Sequence, residues 1–444
     1  MNSILALARR LAVPLAAICL AAACTNSGGD TDGQTGPPPA PPGTVPGVTS
    51  SEIRFAVLAT GSNNPIGTCI MECFTQGIED YFSFRNSAGG AHGRKLVVTT
   101  RVDDQLGKNK EGALQIISAN DTFATFGAAQ LPTGWDDLYK AGIPQYVWAI
   151  QSEAMNGKDS IFGNIAPTCL DCTIRSFAYV AEKKKATRIA ALGYNVPGAP
   201  KKCVGTITDT ISLYSGETGQ QIVYSNDNMT YGLPNGVGPE VSAMRAAGVD
   251  MVIGCFDLNG MKTLAQEMER QGLADVPMYH LNTYDHAFVA AAGDLFEGDV
   301  VTVLFRPFEA TSRSGGIAEY LRWTSRGGHQ PTEAGMNGWI NADLAYQGLL
   351  AAGPNFDRKS VVAATNRMTD YDAGGLVNPI DWSRQHEWPT QDDPATHGYR
   401  QECYAFVEIR NGKFQIFGGT TEKPFVCWQN KDRSWSEPTP TSFG

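Results

Sequence analysis

The chain lacks the short motifs that mark common catalytic sites. It contains no GxSxG, no Walker phosphate loop, no HExxH, and no GxGxxG after a predicted strand. The histidines are few and none stands at metal-ligand spacing; they are His92, His280, His286, His329, His386 and His397. The sequence therefore predicts no enzyme, no cofactor and no resident metal.

The apolar run at the amino terminus is too short for a membrane span. Leu11–Ala23 holds about 13 residues, whereas a spanning helix needs about 20. Arg9-Arg10 precedes the run and small residues end it, so we predict a signal peptide over residues 1–23. Ala21-Ala22-Ala23-Cys24 resembles the bacterial lipobox, which predicts lipidation of Cys24. The alternative is ordinary cleavage that leaves Cys24 as a free thiol.

Positive charge is also scarce. Without Arg9 and Arg10, 33 basic residues remain against 45 acidic ones, a net charge of −12. This balance argues against nucleic acid and against an anionic membrane surface as partners. We therefore expect an extracytoplasmic protein that contacts the bacterial cell membrane only through its lipid anchor.

A proline- and glycine-rich segment separates the predicted anchor from the folded part. Residues 24–51 include Pro37-Pro38-Pro39-Ala40-Pro41-Pro42 and cannot bury a core, so we predict a tether. The remaining chain, about 390 residues, suits two lobes better than one ordinary domain.

Eight cysteines remain besides Cys19 and Cys24, and an even number in an exported chain predicts disulfides. The local pairings that we predict are Cys69–Cys73, Cys169–Cys172, Cys203–Cys255 and Cys403–Cys427.

Strand and helix patterns alternate along most of the chain. Ile53–Leu58 reads as a strand, the segment from Cys73 to Phe84 has helical spacing, and Lys95–Thr100 reads as a second strand. A crossover of this length predicts parallel pairing with a right-handed connection. Further βα units follow, and residues 404–417 read as a β-hairpin turning at Asn411-Gly412. The pattern predicts an α/β fold with two Rossmann-like lobes.

The order of these segments resembles the type I periplasmic binding proteins, specifically the branched-chain amino acid and amide binders of ABC importers. The resemblance covers about residues 52–420. It rests on the Ile53–Leu58 strand, Gly77, Gly89-Gly90 with Gly93-Arg94-Lys95-Leu96, Asp103-Asp104, Ile143-Pro144, Arg188–Leu192, Asp250–Gly254, Gly335–Leu350, Pro379–Trp382 and the Asn411-Gly412-Lys413 hairpin.

This resemblance implies two lobes joined by a three-segment hinge, with crossovers near 161–167, 299–307 and 375–383. The implied lobe boundaries are 52–163 for the first part of lobe 1, 164–302 for lobe 2, 303–378 for a return to lobe 1, and 379–444 for completion of lobe 2 with the carboxyl-terminal hairpin and tail. The implied function is capture of a small organic solute, amino-acid-like, amide or aromatic acid, for an ABC permease. We expect a monomer.

The family binds its ligand with loops at the carboxyl ends of strands. The positions implied here are Ala128, Ala129, Gln130, Trp148, Ala149, Asn195, Phe256, Asp257, Tyr284, Asp285 and Trp339. Ala128-Ala129 stands where amino acid binders usually carry hydroxyl side chains, which argues against a free α-amino acid. The aromatic residues instead suit a flat or apolar ligand body.

Each of these positions also has a structural interpretation. Trp148 and Phe256 suit packing at strand ends, and Asp257 and Asp285 suit helix caps. Asp103-Asp104 suits turn chemistry rather than acid–base catalysis.

Three other functions compete with solute transport. Cys169-Leu170-Asp171-Cys172 has the spacing of a redox CxxC, although we prefer a structural disulfide. Cys69, Cys73, Cys169 and Cys172 have the ligand set of a four-thiolate zinc site. A sensor of the same fold that signals to a membrane partner without transport would have the same sequence features.

Overall fold

The computed structural model describes residues 44–64, 67–148, 152–164, 172–196, 199–312, 315–387, 398–430 and 433–444. All of them belong to one compact unit, residues 39–444. The predicted signal peptide, Cys24 and most of the predicted tether lie outside the described residues.

The first lobe is built on a parallel sheet. Its strands are β1 (Glu52–Ala59), β2 (Lys95–Asp103), β3 (Ala124–Ala128), β4 (Gln145–Val147) and β5 (Ile161–Gly163), in the spatial order β2-β1-β3-β4-β5. The helices between them are α1 (Met71–Ser87), α2 (Asn109–Ala119) and α3 (Trp135–Lys140), and a 3₁₀ turn covers Ser152–Met155. The predicted parallel pairing of β1 with β2 is confirmed.

The second lobe is built on a mixed sheet. Its strands are β6 (Arg188–Tyr194), β7 (Gln221–Met229), β8 (Met251–Cys255), β9 (Met278–His280), β10 (Val300–Val303), β11 (Gln401–Arg410), β12 (Lys413–Phe417), β13 (Phe425–Gln429) and β14 (Thr439–Thr441). Strands β6 to β10 run parallel, while β11 to β14 are antiparallel. The helices are α4 (Arg175–Lys183), α5 (Ala199–Thr218), α6 (Gly238–Ala246), α7 (Leu258–Arg270) and α8 (His286–Ala292), followed by a 3₁₀ turn at Gly293–Phe296.

Three helices then return to the first lobe: α9 (Gly315–Gly327), α10 (Glu333–Ala352) and α11 (Arg358–Thr365). Helix α10 packs on α1 so closely that the glycines of one helix meet the backbone of the other. The chain afterwards re-enters the second lobe as the β11–β12 hairpin. Asn411 and Gly412 both have positive φ, 53° and 67°, as the predicted tight hairpin turn requires.

Two of the segments that connect the lobes lie side by side. The Arg306 N–H donates to the carbonyl of Leu376 at 2.6 Å, and the Arg306 guanidinium donates to Ala310 O and Ser442 Oγ. The third predicted crossover, near 161–167, is described only as far as Asn164. The predicted two-lobed α/β fold is confirmed by the two sheets and their connections.

Two segments pack differently from what the predicted boundaries imply. Residues 44–51 are attached to the first lobe rather than to the tether, because the Arg54 N–H donates to Gly47 O and Val48 pairs with Ile53. Residues 379–387 also belong with the first lobe, since Trp382 is fully buried against Phe162, with 5.2 Å between ring centroids.

Candidate ligand-binding site

A cavity of about 920 Å³ lies between the two lobes. The first lobe supplies the residues after β1, β3 and β4 and the start of α10, and the second lobe supplies the residues after β8 and β9. Open α/β sheets bind ligands at this edge, where the carboxyl ends of parallel strands meet. The volume lies in the range of small-molecule sites.

Six of the predicted ligand-binding residues line this cavity. They are Gln130, Trp148, Phe256, Asp257, Tyr284 and Asp285. The structure therefore brings together loops of both lobes that are far apart in sequence, as expected for strand ends of two parallel sheets.

Four predicted residues do not line the cavity. Ala128 is the last residue of β3, which extends one residue further than its sequence pattern indicates, and Ala129 follows it; both are fully buried. Asn195 is exposed and donates from Nδ2 to Asn228 Oδ1 at 2.6 Å. Trp339 lies in the first-lobe core, stacked on Phe84 with 6.0 Å between centroids. Ala149 lies outside the described residues.

The walls of the cavity are largely aromatic. Tyr194 packs against Phe256 and Tyr231, with centroid distances of 4.7 and 5.0 Å. On the other side, Tyr284 packs against Phe308 at 5.3 Å. Such surfaces favour a ligand with an apolar or aromatic body.

The two predicted aspartates serve as helix caps and also line the cavity. Asp257 caps α7 by accepting the Gly260 N–H at 2.9 Å, and its second oxygen accepts the Tyr194 hydroxyl at 3.0 Å. Asp285 caps α8 by accepting the Phe288 N–H at 2.8 Å. The structural interpretation is confirmed for both, and it leaves part of each carboxylate beside the cavity.

The sequence analysis missed Glu333, which lines the cavity at the first position of α10. Burial, together with a smaller effect of the nearby charge of Asp285, raises the pKa of the Glu333 carboxyl to about 8. No residue in the described part of the chain donates a hydrogen bond to this carboxyl. Thr332, the N-cap of α10, was the available sequence signal for a helix start here.

The polar groups around the Tyr284 hydroxyl form hydrogen bonds with one another. The Tyr284 hydroxyl donates to Glu309 at 2.7 Å and accepts the Phe308 N–H at 2.7 Å. His286 Nε2 lies 2.7 Å from the other Glu309 oxygen. This network holds one wall in place and leaves ligand recognition to other groups.

Two disulfides contribute to the cavity wall. Cys69 is bonded to Cys73 and Cys203 to Cys255, and Cys69, Cys203 and Cys255 face the cavity. A third disulfide joins Cys403 of β11 to Cys427 of β13. These are three of the predicted pairs; the fourth includes Cys169, which lies outside the described residues. Because Cys69 and Cys73 are oxidised, the four-thiolate zinc interpretation is wrong.

Comparison with known proteins identifies the class of protein that has this fold and this cavity. A family model described as periplasmic binding protein matches residues 53–413. No curated protein matches the chain. A solute-binding protein of an ABC transporter from Rhodopseudomonas palustris HaA2, in complex with p-hydroxybenzoic acid, has a TM-score of 0.65 at 17% identity over 86% of this chain and 98% of its own.

Two further solved structures are similar. One is a fatty acid ABC transporter substrate-binding protein from Thermomonospora curvata, with a TM-score of 0.62 and 17% identity over 88% of this chain and 94% of its own. The other is an ABC transporter substrate-binding protein from Desulfitobacterium hafniense in complex with Leu, with a TM-score of 0.60 and 16% identity over 83% of this chain and 99% of its own.

The two lobes and the cavity between them agree with the solute-binding proteins that these comparisons find. This chain belongs to the periplasmic binding protein family, of type I, as its sequence predicted. Membership implies an extracytoplasmic location. Within the described ranges, no helix has the length and apolar character needed to cross a bilayer.

Proposed function

We propose that this protein captures a small organic solute with an apolar or aromatic body and delivers it to an ABC importer. The observation that carries the proposal is the cavity itself, which takes its wall from both lobes. A ligand that touches both lobes binds the closed arrangement better than an open one and shifts the hinge equilibrium toward closure. The closed form is then the one that an importer recognises.

The similar solved structures support this function. Their names describe ABC transporter binding proteins, and those with ligands hold p-hydroxybenzoic acid or Leu. The aromatic wall around Trp148, Tyr194 and Phe256 favours a ligand of the first kind in size and flatness.

The proposal includes the anchor. Lipidation of Cys24 would hold a monomeric receptor on the outer face of the membrane, at the end of the proline-rich tether. Cys24→Ser should abolish incorporation of labelled fatty acid and release the protein in soluble form. Light scattering of the chain from residue 25 onward should give the mass of one copy.

The binding test uses the mature chain from residue 25 onward, unfolded and refolded to remove any co-purified ligand. We expect at least one compound from a library of amino acids, amides, aromatic acids and amines to raise the melting temperature. A compound present at 100 times its Kd stabilises the folded state by about 2.7 kcal/mol. Absence of any hit in a broad library would contradict solute capture.

A pair of tryptophan variants locates the site. Trp148→Ala removes a cavity wall, whereas Trp323→Ala removes a half-buried tryptophan of α9 that does not line the cavity. We expect the first variant to lose ligand affinity by about 10-fold or more and the second to keep it. In cells that lack the gene, uptake of the same ligand should be restored by the wild type and not by Trp148→Ala.

A further inference from the structure

Two acidic side chains from opposite lobes face the same cavity. Glu333 is the first residue of α10 in the first lobe, and Asp285 precedes α8 in the second. The charge of Asp285 acts on the Glu333 carboxyl, so the two groups are close enough to interact. Each lobe thus presents an acidic group to the same cavity.

The described part of the cavity wall is poor in cationic side chains. Among the described residues that line the cavity, none is a lysine or an arginine. His286 is a basic side chain among these residues, but its Nε2 already lies within hydrogen-bond distance of Glu309. A carboxylate ligand would have no described cation to pair with and would meet Glu333, Asp285 and Asp257 instead.

Two of the helix starts around the cavity already carry an acidic side chain of the chain itself. A helix N-terminus attracts anions through its free N–H groups and its dipole. Here Asp257 already caps α7, and α10 carries Glu333 in its first turn behind the cap of Thr332. At these two helix starts the chain's own acids therefore take the place that a ligand carboxylate would occupy.

Two polar groups of the cavity wall are left without partners. The described part of the chain offers no donor to the Glu333 carboxyl, and Gln130 Nε2 is buried with no hydrogen-bond acceptor. A buried amide such as that of Gln130 nearly always has a partner in folded proteins, whereas Glu333 is half-buried. A ligand that completes this wall brings a donor to Glu333 and an acceptor to Gln130.

We propose that the ligand is an apolar or aromatic amine, bound as an ammonium ion between Glu333 and Asp285. The inference rests on the proposed function and adds the ligand class to it. An ammonium group between the two residues favours release of the proton that Glu333 holds and then attracts one carboxylate on each lobe, so the cation itself favours closure. The aromatic faces of Trp148, Tyr194 and Phe256 suit both the ligand body and a neighbouring cation.

The test compares compounds that share one body and differ in the charge of the head group. One set is 2-phenylethylammonium, 3-phenylpropanoate and 3-phenylpropanamide; matching sets carry an indole or a 3-methylbutyl body. Affinities for the refolded mature chain are measured by calorimetry at pH 7. We expect the best binder to be an ammonium compound, with at least about 10-fold preference over its carboxylate counterpart.

Variants assign that preference to the two carboxylates. Glu333→Gln keeps the side-chain shape, and Asp285→Asn keeps a residue that caps helices equally well. Each should lower ammonium affinity about 10-fold and reduce the preference over the carboxylate. Glu111→Gln, on the exposed face of α2, removes a negative charge outside the cavity and should leave both affinities unchanged.

The outcomes separate this inference from the proposed function. A carboxylate or an amide as the best binder overturns the ligand class and leaves solute capture standing. Two other results would also overturn the ligand class and leave solute capture standing. One is binding of other solutes when no ammonium compound binds, and the other is an unchanged preference in both variants. Failure of every compound to bind contradicts solute capture itself.

Discussion

Glu402 of β11 accepts two hydrogen bonds from Arg175, one from its backbone N–H and one from Nε, both at 2.8 Å. Both side chains are almost completely buried, at 1% and 0% exposure. Arg175 begins α4, the first described helix of the second lobe, and Glu402 lies in a strand that the chain adds more than 200 residues later. The pair therefore fastens the start of this lobe to its final strands.

Loss of one partner of this pair should destabilise the protein strongly. Glu402→Ala leaves the Arg175 charge buried without its carboxylate, which typically costs about 3–5 kcal/mol. The measurement is the free energy of unfolding in urea. The control is Glu437→Ala, which breaks the exposed ion pair with Lys183 at 3.0 Å and should cost less than about 1 kcal/mol. Equal losses in the two variants would contradict the structural role.

A methyl group at Gly77 should also destabilise the first lobe. A Cβ at Gly77 of α1 would lie 1.8 Å from the Gly335 carbonyl oxygen of α10, so the helices would have to move apart. We expect Gly77→Ala to cost at least about 1–3 kcal/mol in the free energy of unfolding.

Gly205→Ala provides the matched control for that substitution. Gly205 lies on the exposed face of α5, with no atom within 4 Å of an added Cβ. Alanine is the better helix former by roughly 0.5–1 kcal/mol, so this variant should be as stable as the wild type or more so. A stable Gly77→Ala variant would show that α1 and α10 do not pack as described.

Much of the fold was predictable because the signals are local. Alternating β-rich runs and helical spacing indicate βα units, and parallel βα units fix where strand ends meet. The strand at Ile53–Leu58 and the turn at Asn411-Gly412 are examples that the structure confirms. Gly77 and Gly335 were visible as glycines, but their contact depends on how two distant helices cross.

The candidate site was predictable only where it follows directly from a strand end. Gln130, Trp148 and Phe256 meet that condition and line the cavity. Ala128 failed because β3 continues one residue further than its pattern indicates, which turns a predicted loop position into a buried strand position. Glu333 comes from the start of a helix, and nothing local indicates that this helix returns to face Asp285.

The disulfides should differ in their contribution to stability. Cys203–Cys255 closes a loop with a separation of 52 residues, whereas Cys69–Cys73 closes one of 4. The chain-entropy model gives about 4 kcal/mol for the longer loop and about 2 kcal/mol for the shorter one. The double variant Cys203→Ala/Cys255→Ala should therefore lose more stability in urea than Cys69→Ala/Cys73→Ala. The reverse order would show that strain or residual structure outweighs chain entropy at these sites.

The carboxyl of Glu333 should make the stability of the protein depend on pH. Its pKa is about 8 in the folded protein, raised by burial and by Asp285, against 4.5 for an ordinary glutamate. Between these values the folded state holds a proton that the unfolded state has released, so the free energy of unfolding falls as pH rises from about 4.5 to about 8. Each unit of pKa shift corresponds to about 1.4 kcal/mol.

Glu333→Gln should remove this dependence while keeping the shape of the side chain. The variant should be more stable than the wild type at pH 8, and the difference should shrink toward pH 5, where the wild-type carboxyl is protonated in the folded state. Urea unfolding at several pH values measures the difference, and Glu111→Gln on the surface of α2 is the control for loss of one negative charge. A constant difference between wild type and Glu333→Gln across this range would mean that the carboxyl is well solvated in the cavity. It would then be ionised at neutral pH without a ligand, and the repulsion between the lobes would be present from the start.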